Sequence, residues 1–128
     1  MKKKFIAKLV LLGDGAVGKT SLKRRLTEGK FDPNQDMTIG ADFARVPIEI
    51  NEEYEIILQI WDIAGQVKFS NVASNYYKGA KGAILVFDVT RYETYQNLFN
   101  WLQKLDLELN HQKVPLISYF KDFKPVHR

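Results

Sequence analysis

The sequence predicts an α/β fold, a sandwich in which helices cover a mostly parallel sheet. Three observations point to it. Apolar runs of strand length recur at Phe5 to Leu12, Ile56 to Trp61, Gly82 to Val89 and Val114 to Phe120. Segments with helical spacing lie between them, and strands alternating with helices pair in parallel through crossovers. The runs are nearly continuous rather than alternating, as strands covered on both faces require.

Taken in order, the first element is the strand Phe5 to Leu12, which reads as buried. A helix follows from Lys19 to about Glu28, stopped by Gly29. Phe31 to Asp42 contains Asp32-Pro33-Asn34 and neither period, so it reads as a long surface loop, and loops of that length tend to be functional. Phe43 to Ile50 and Tyr54 to Trp61 form a hairpin around Asn51-Glu52-Glu53. Pro47 cannot donate to a ladder, which places its strand at a sheet edge; the more apolar second strand is central. Asp62 to Gln66 forms a second loop, and a short amphipathic segment runs from about Lys68 to Tyr77, ending before Gly79. Gly82 to Val89 is a buried strand. Tyr92 to about Asn110 is a helix whose stripe Tyr95, Leu98, Phe99, Leu102, Leu105 and Leu109 is expected in the core. Val114 to Phe120 begins the last strand.

Composition narrows the class. A chain of 128 residues, 45% hydrophobic and 27% charged, is a single globular domain. Part of the net charge of +4 sits at the ends, on Lys2, Lys3, Lys4, Lys121, Lys124 and Arg128. Basic residues are not interleaved with aromatics, so no nucleic-acid partner is expected. Without cysteine there are no disulfides, thiolate metal sites, or sites for prenyl or palmitoyl anchors, and a cytoplasmic location is expected. Lys8 breaks the N-terminal apolar run, which ends in a glycine-rich loop, so it reads as a core strand rather than a signal peptide.

That loop is Gly13-Asp14-Gly15-Ala16-Val17-Gly18-Lys19-Thr20, followed by Ser21. It satisfies G-x-x-x-x-G-K-[ST] between a strand and a helix. Its glycines let successive N–H groups turn inward as a nest for phosphate oxygens, and the helix directs its positive end at the same anion. Lys19 is expected to reach the β- and γ-phosphates and the Thr20 hydroxyl to ligate Mg²⁺. Functional loops of such folds gather at the carboxyl ends of the strands, where Asp62 also lies. Asp62, followed by Ala64, Gly65 and Gln66, reads as the other half of a Mg²⁺–phosphate site, acting through a water because Mg²⁺ keeps several. Gly65 offers an N–H to the γ-phosphate, and the amide of Gln66 can orient an attacking water. Thr38, eighteen positions after Thr20, offers a hydroxyl to Mg²⁺ and an N–H to the γ-phosphate. Contacts made only with a γ-phosphate would order its loop in one state and release it in the other. Gln66, Lys19 and Thr38 are the catalytic candidates; Thr20, Thr38 and Asp62 are the candidate Mg²⁺ ligands.

These residues resemble the Ras superfamily of small GTPases, and within it the Rab branch. The resemblance rests on Gly13 to Ser21, Thr38-Ile39-Gly40-Ala41-Asp42-Phe43, Leu58 to Gln66, Asn75-Tyr76-Tyr77-Lys78-Gly79-Ala80, Ile84 to Thr90 and Asn97 to Leu102. It is collinear from residue 5 to about 117. It implies binding of GTP or GDP with Mg²⁺, slow hydrolysis, and recognition by exchange factors, activating proteins and effectors through residues 36–48 and 64–80. It also implies that Phe31 packs against the guanine.

After Ile117 the sequence departs from the family pattern. Lys121-Asp122-Phe123-Lys124 stands where Asn-Lys-x-Asp would read guanine, and lysine offers only donors. On this reading residues 1–128 form an incomplete small GTPase domain, a P-loop NTPase sandwich lacking the family's last strand and two helices, with a divergent tail over 118–128. A sheet face beside the first helix is then uncovered, which invites self-association. Ile63 and Val67 replace a threonine and a glutamate usual in the family. Three readings are open: a Rab-like GTPase switch, a non-catalytic interaction module with Rab-like surfaces, and a base-indifferent P-loop NTPase.

Overall fold

The computed structural model describes residues 2–15, 17–27, 41–63 and 71–121. Among them run strand β1 (Lys3–Leu12), helix α1 (Lys19–Thr27), β2 (Ala41–Glu49), β3 (Tyr54–Ile63), α2 (Asn71–Tyr77), β4 (Ala80–Asp88), α3 (Tyr92–Gln96), α4 (Leu98–Glu108) and β5 (Leu116–Lys121). The sheet order is β2-β3-β1-β4-β5. Only the β2–β3 hairpin is antiparallel; β1 pairs in parallel with β3 and β4, and β4 with β5. The expected α/β architecture with a mostly parallel sheet is therefore present. Pro47 lies on β2 at the sheet edge, where a residue without an N–H removes no second ladder.

Two apolar clusters sandwich the sheet. On the α1 face Leu22 of the helix packs with Leu11, Val17, Val46, Ile60, Ile84 and Val86. On the opposite face Val10, Leu12, Tyr76, Tyr77, Leu85, Leu98, Leu105 and Leu109 pack together. Both clusters draw on the last residues of β1, which fixes the end of that strand and the loop that leaves it. Each such side chain contributes about 1.5–3 kcal/mol by its removal from water.

Two expectations need correction. Only the second half of β1 is buried: Phe5 is 53% exposed and Ile6 60%. The reason is register, because β4 first meets β1 at Lys8, leaving residues 3–7 with β3 alone as a neighbour. The long helix is divided at Asn97, and its stripe is only partly core. Leu98, Leu105 and Leu109 are buried, whereas Tyr95 and Phe99 are 43% and 65% exposed. These two rings flank the helix on its β5 side, Tyr95 meeting Phe87 edge-on at 5.3 Å. Beside α1 the sheet is also open, with Ile117, which pairs with Ile84, 59% exposed.

Candidate functional site

The carboxyl ends of β1, β3 and β4 converge, and the glycine-rich loop leaves the first of them. Gly13 has φ +147°, and a Cβ there would stand 2.2 Å from the carbonyl oxygen of Val86, so the loop can approach β4 this closely only with glycine. Gly18 has φ +102°. Gly15 differs from expectation: a Cβ there meets nothing within 4 Å. Val17 anchors the far side of the loop, fully buried in the α1 cluster. The Leu22 N–H then bonds to the Gly18 carbonyl at 2.8 Å, opening the helix.

The lysine at the end of the loop is held by the loop's own backbone. The Lys19 ammonium donates to the carbonyls of Gly13 at 2.7 Å and Asp14 at 2.8 Å, which arches the loop over the lysine. The Thr20 hydroxyl donates to Asp62 Oδ2 at 2.6 Å. The two halves of the expected Mg²⁺ site are thus adjacent. Among the described residues no group of three or more His, Asp or Glu forms a metal cluster. A hydroxyl beside one carboxylate still fits Mg²⁺, which takes one or two protein oxygens and completes its shell with phosphate and water. Tyr76 steadies the strand ends below. Its buried hydroxyl lies 2.6 Å from the Leu11 carbonyl and 2.7 Å from that of Trp61, its single proton serving both, and it accepts the Leu11 N–H at 3.1 Å.

Further contacts went unread in the sequence. Asn97 Nδ2 donates to Asp14 Oδ2 at 2.7 Å, and Trp101 Nε1 to Asp14 Oδ1 at 2.9 Å. Arg91 donates to the Gly15 carbonyl at 3.1 Å and to Asp88 Oδ2 at 3.2 Å. Asp88 also accepts the Thr90 N–H at 2.9 Å and its hydroxyl at 2.6 Å. Burial pushes the Asp88 carboxyl up, but the Thr90 and Arg91 donors outweigh it and hold the group below its ordinary 3.8. The available signal was polar: Asn97 and Trp101, four apart on one helical face, carry donors amid an apolar stripe.

Of the expected site residues, Gly13, Asp14, Gly15, Val17, Gly18, Lys19, Thr20, Ser21 and Asp62 are gathered here. Ala16, Phe31, Thr38, Ala64, Gly65 and Gln66 lie outside the described residues, as do Asp122, Phe123 and Lys124. No helix among the described residues is long and apolar enough to cross a membrane.

A family model described as the Ras family matches residues 8–124. The Ras-related protein RABA5b of Arabidopsis thaliana is 46% identical over 102 residues, 80% of this chain and 46% of the relative. Human Ras-related protein Rab-30 is 41% identical over 113 residues, 88% of this chain and 55% of the relative. RABA5a of Arabidopsis thaliana is 40% identical over 126 residues, 95% and 57% respectively. The chain spans about half the length of the curated relatives it matches.

Proposed function

The chain belongs to the Ras family, and from that premise we propose that it is a Rab-like switch that binds GTP or GDP with Mg²⁺ and hydrolyses GTP slowly. The observation that best supports this reading is the 2.6 Å bond from Thr20 to Asp62, made beside the Lys19-braced loop. A phosphate loop by itself names no reaction; a hydroxyl and a strand-end carboxylate beside it fit a metal–triphosphate. Thr20 and, through a water, Asp62 would hold Mg²⁺, with Thr38 as a further ligand in the triphosphate state. When bound, Mg²⁺ neutralises charge on the phosphate oxygens.

The loop N–H groups and Lys19 bind and orient the phosphates, with Ala64 and Gly65 assigned to nucleotide binding beside them. Gln66 orients the attacking water. The reaction needs positioning and charge stabilisation more than covalent chemistry, so an activating partner can add about 10³–10⁵ in rate. Regulators and effectors engage residues 36–48 and 64–80. The ring of Phe43 stacks on Trp61 at 4.7 Å and Trp61 meets Tyr76 edge-on at 6.3 Å, a packed aromatic path joining those two segments. The open sheet face around Ile117 supports self-association as a further property.

One observation favours a second reading, a base-indifferent NTPase: Lys124 stands where the family's guanine-reading aspartate would be. A thermal melt of the chain with millimolar GTP·Mg²⁺ or ATP·Mg²⁺ separates the two. Ligand at 100 times its Kd stabilises by about 2.7 kcal/mol. A midpoint raised by GTP alone is the expected result. Equal shifts support the base-indifferent reading, and no shift overturns nucleotide binding in favour of a non-catalytic interaction module.

A further inference from the structure

The Asp14 carboxylate poses a problem within the proposed site. It is a fixed negative charge in a loop whose purpose is to receive anions, and the backbone N–H groups that would cradle phosphate need no acid at this position. An uncompensated carboxylate one residue from the nest would repel a polyphosphate and would also compete with it for the loop donors. The structure contains an answer from a distant part of the chain. Both carboxylate oxygens are taken, one by the Asn97 amide at 2.7 Å and the other by the Trp101 indole at 2.9 Å, and these two donors approach from the α3–α4 side. Asn97 in turn accepts from the Asn100 amide at 3.4 Å. Arg91, on the same side, holds the neighbouring Gly15 carbonyl at 3.1 Å and adds a cation beside the carboxylate's own segment.

We propose that Asn97 and Trp101 are positioning residues for nucleotide binding, gripping the Asp14 carboxylate through both oxygens and so keeping its charge turned away from the phosphate nest. They touch no substrate and act through Asp14. A donor pair is suited to this because hydrogen bonds to a charged acceptor are stronger than neutral ones and delocalise the charge toward the donors. Their placement follows from helical geometry, since residues four apart share a face. The inference rests on the nucleotide-binding reading above.

The test is a titration of fluorescent GTP analogue with Mg²⁺ into the 128-residue chain and its variants, each first melted to establish a folded state. Wild-type binding comes first: its absence overturns the nucleotide-binding reading and this inference with it. Given wild-type binding, Asn97→Ala and Trp101→Phe are each expected to raise Kd about tenfold, the second keeping an aromatic ring against the core while losing the N–H and part of the indole's packing. The loss should shrink as salt rises from about 50 mM to 500 mM, because repulsion from an unmasked charge is screened. Adding Asp14→Asn to Asn97→Ala should recover most of the lost affinity. A simple prop for the loop gives the opposite pattern: a salt-independent loss and no recovery in the double variant. That pattern, or wild-type affinity in Trp101→Phe, overturns the proposal while nucleotide binding itself stands.

Discussion

Thr20 and Asp62 lie 42 positions apart in the chain, and the hydroxyl of the first donates to the carboxylate of the second at 2.6 Å. The bond joins the start of α1 to the end of β3, the sheet neighbour of β1. It follows from parallel pairing: Leu11 of β1 is level with Asp62 of β3, so the loop leaving β1 arrives where β3 ends. On the proposed function, this hydroxyl and carboxylate on the rim of the glycine-rich loop are the pair assigned to Mg²⁺.

Lys19 braces the loop through the Gly13 and Asp14 carbonyls, and the proposed function assigns its cation to the phosphates. Lys19→Ala is expected to weaken GTP·Mg²⁺ binding by at least about 100-fold, the loss of one or two charge-assisted bonds. Titration calorimetry measures this directly. Affinity within a factor of three of wild type would remove Lys19 from the site.

Gln66→Leu is expected to slow GTP turnover by at least about tenfold and leave GTP affinity within about threefold, since the amide is assigned to the attacking water rather than to the phosphates. Single-turnover hydrolysis alongside a binding titration reads both. Equal rates in variant and wild type take Gln66 out of the mechanism.

Gly13→Ala tests the shape of the loop. The new Cβ would meet a backbone oxygen of β4 at 2.2 Å, with φ already at +147°, and neither the strand nor the loop can yield cheaply. Destabilisation of about 3 kcal/mol or more is expected from strain and displacement together. Urea unfolding with an unchanged midpoint would contradict the described approach of Gly13 to Val86.

Tyr76→Phe removes a hydroxyl that is 1% exposed as a residue and bonds to β1 and β3 at once. The ring packing against Trp61 and Tyr77 is retained. A loss of about 1–3 kcal/mol is expected, because buried carbonyls are left with poorer partners. A thermal melt should fall by several degrees; a melt equal to wild type would show that the strand ends need no such bridge.

Asp88 gives a pH signature. Its carboxyl is held below the ordinary 3.8, burial being outweighed by Thr90 and Arg91. A depressed carboxylate contributes stability that is complete above the unfolded value and fades as pH falls through the folded one. Wild type should therefore exceed Asp88→Asn in melting temperature at about pH 6, with the gap closing toward about pH 3. A gap constant across that range would assign the effect to geometry rather than charge.

Much of this protein was legible in the sequence because the deciding signals are local. The run Gly13 to Thr20 needs glycine where φ is positive, and two of its three glycines adopt such angles. Pro47 lacks an N–H, so its strand could only be an edge, and β2 is one. Asp62 ends an apolar strand, so it had to emerge at the rim with the other strand-end loops. By itself, then, the chain determined its strand–helix alternation, its phosphate loop and its family. Three things were decided only by tertiary structure. Which half of β1 is buried depends on where β4 begins to pair, and no periodicity within Phe5 to Leu12 records the start of a neighbour's register. Which residues of the long helical stripe face the core depends on how the helix lies across β4 and β5, and Tyr95 and Phe99 fall on its open flank. The grip on Asp14 comes from residues 83 and 87 positions away, and their amide and indole acquire a role only when folding brings a carboxylate to them. Local chemistry fixes what a segment can become; distant hydrogen bonds and packing select, from several possible partners, the one it meets.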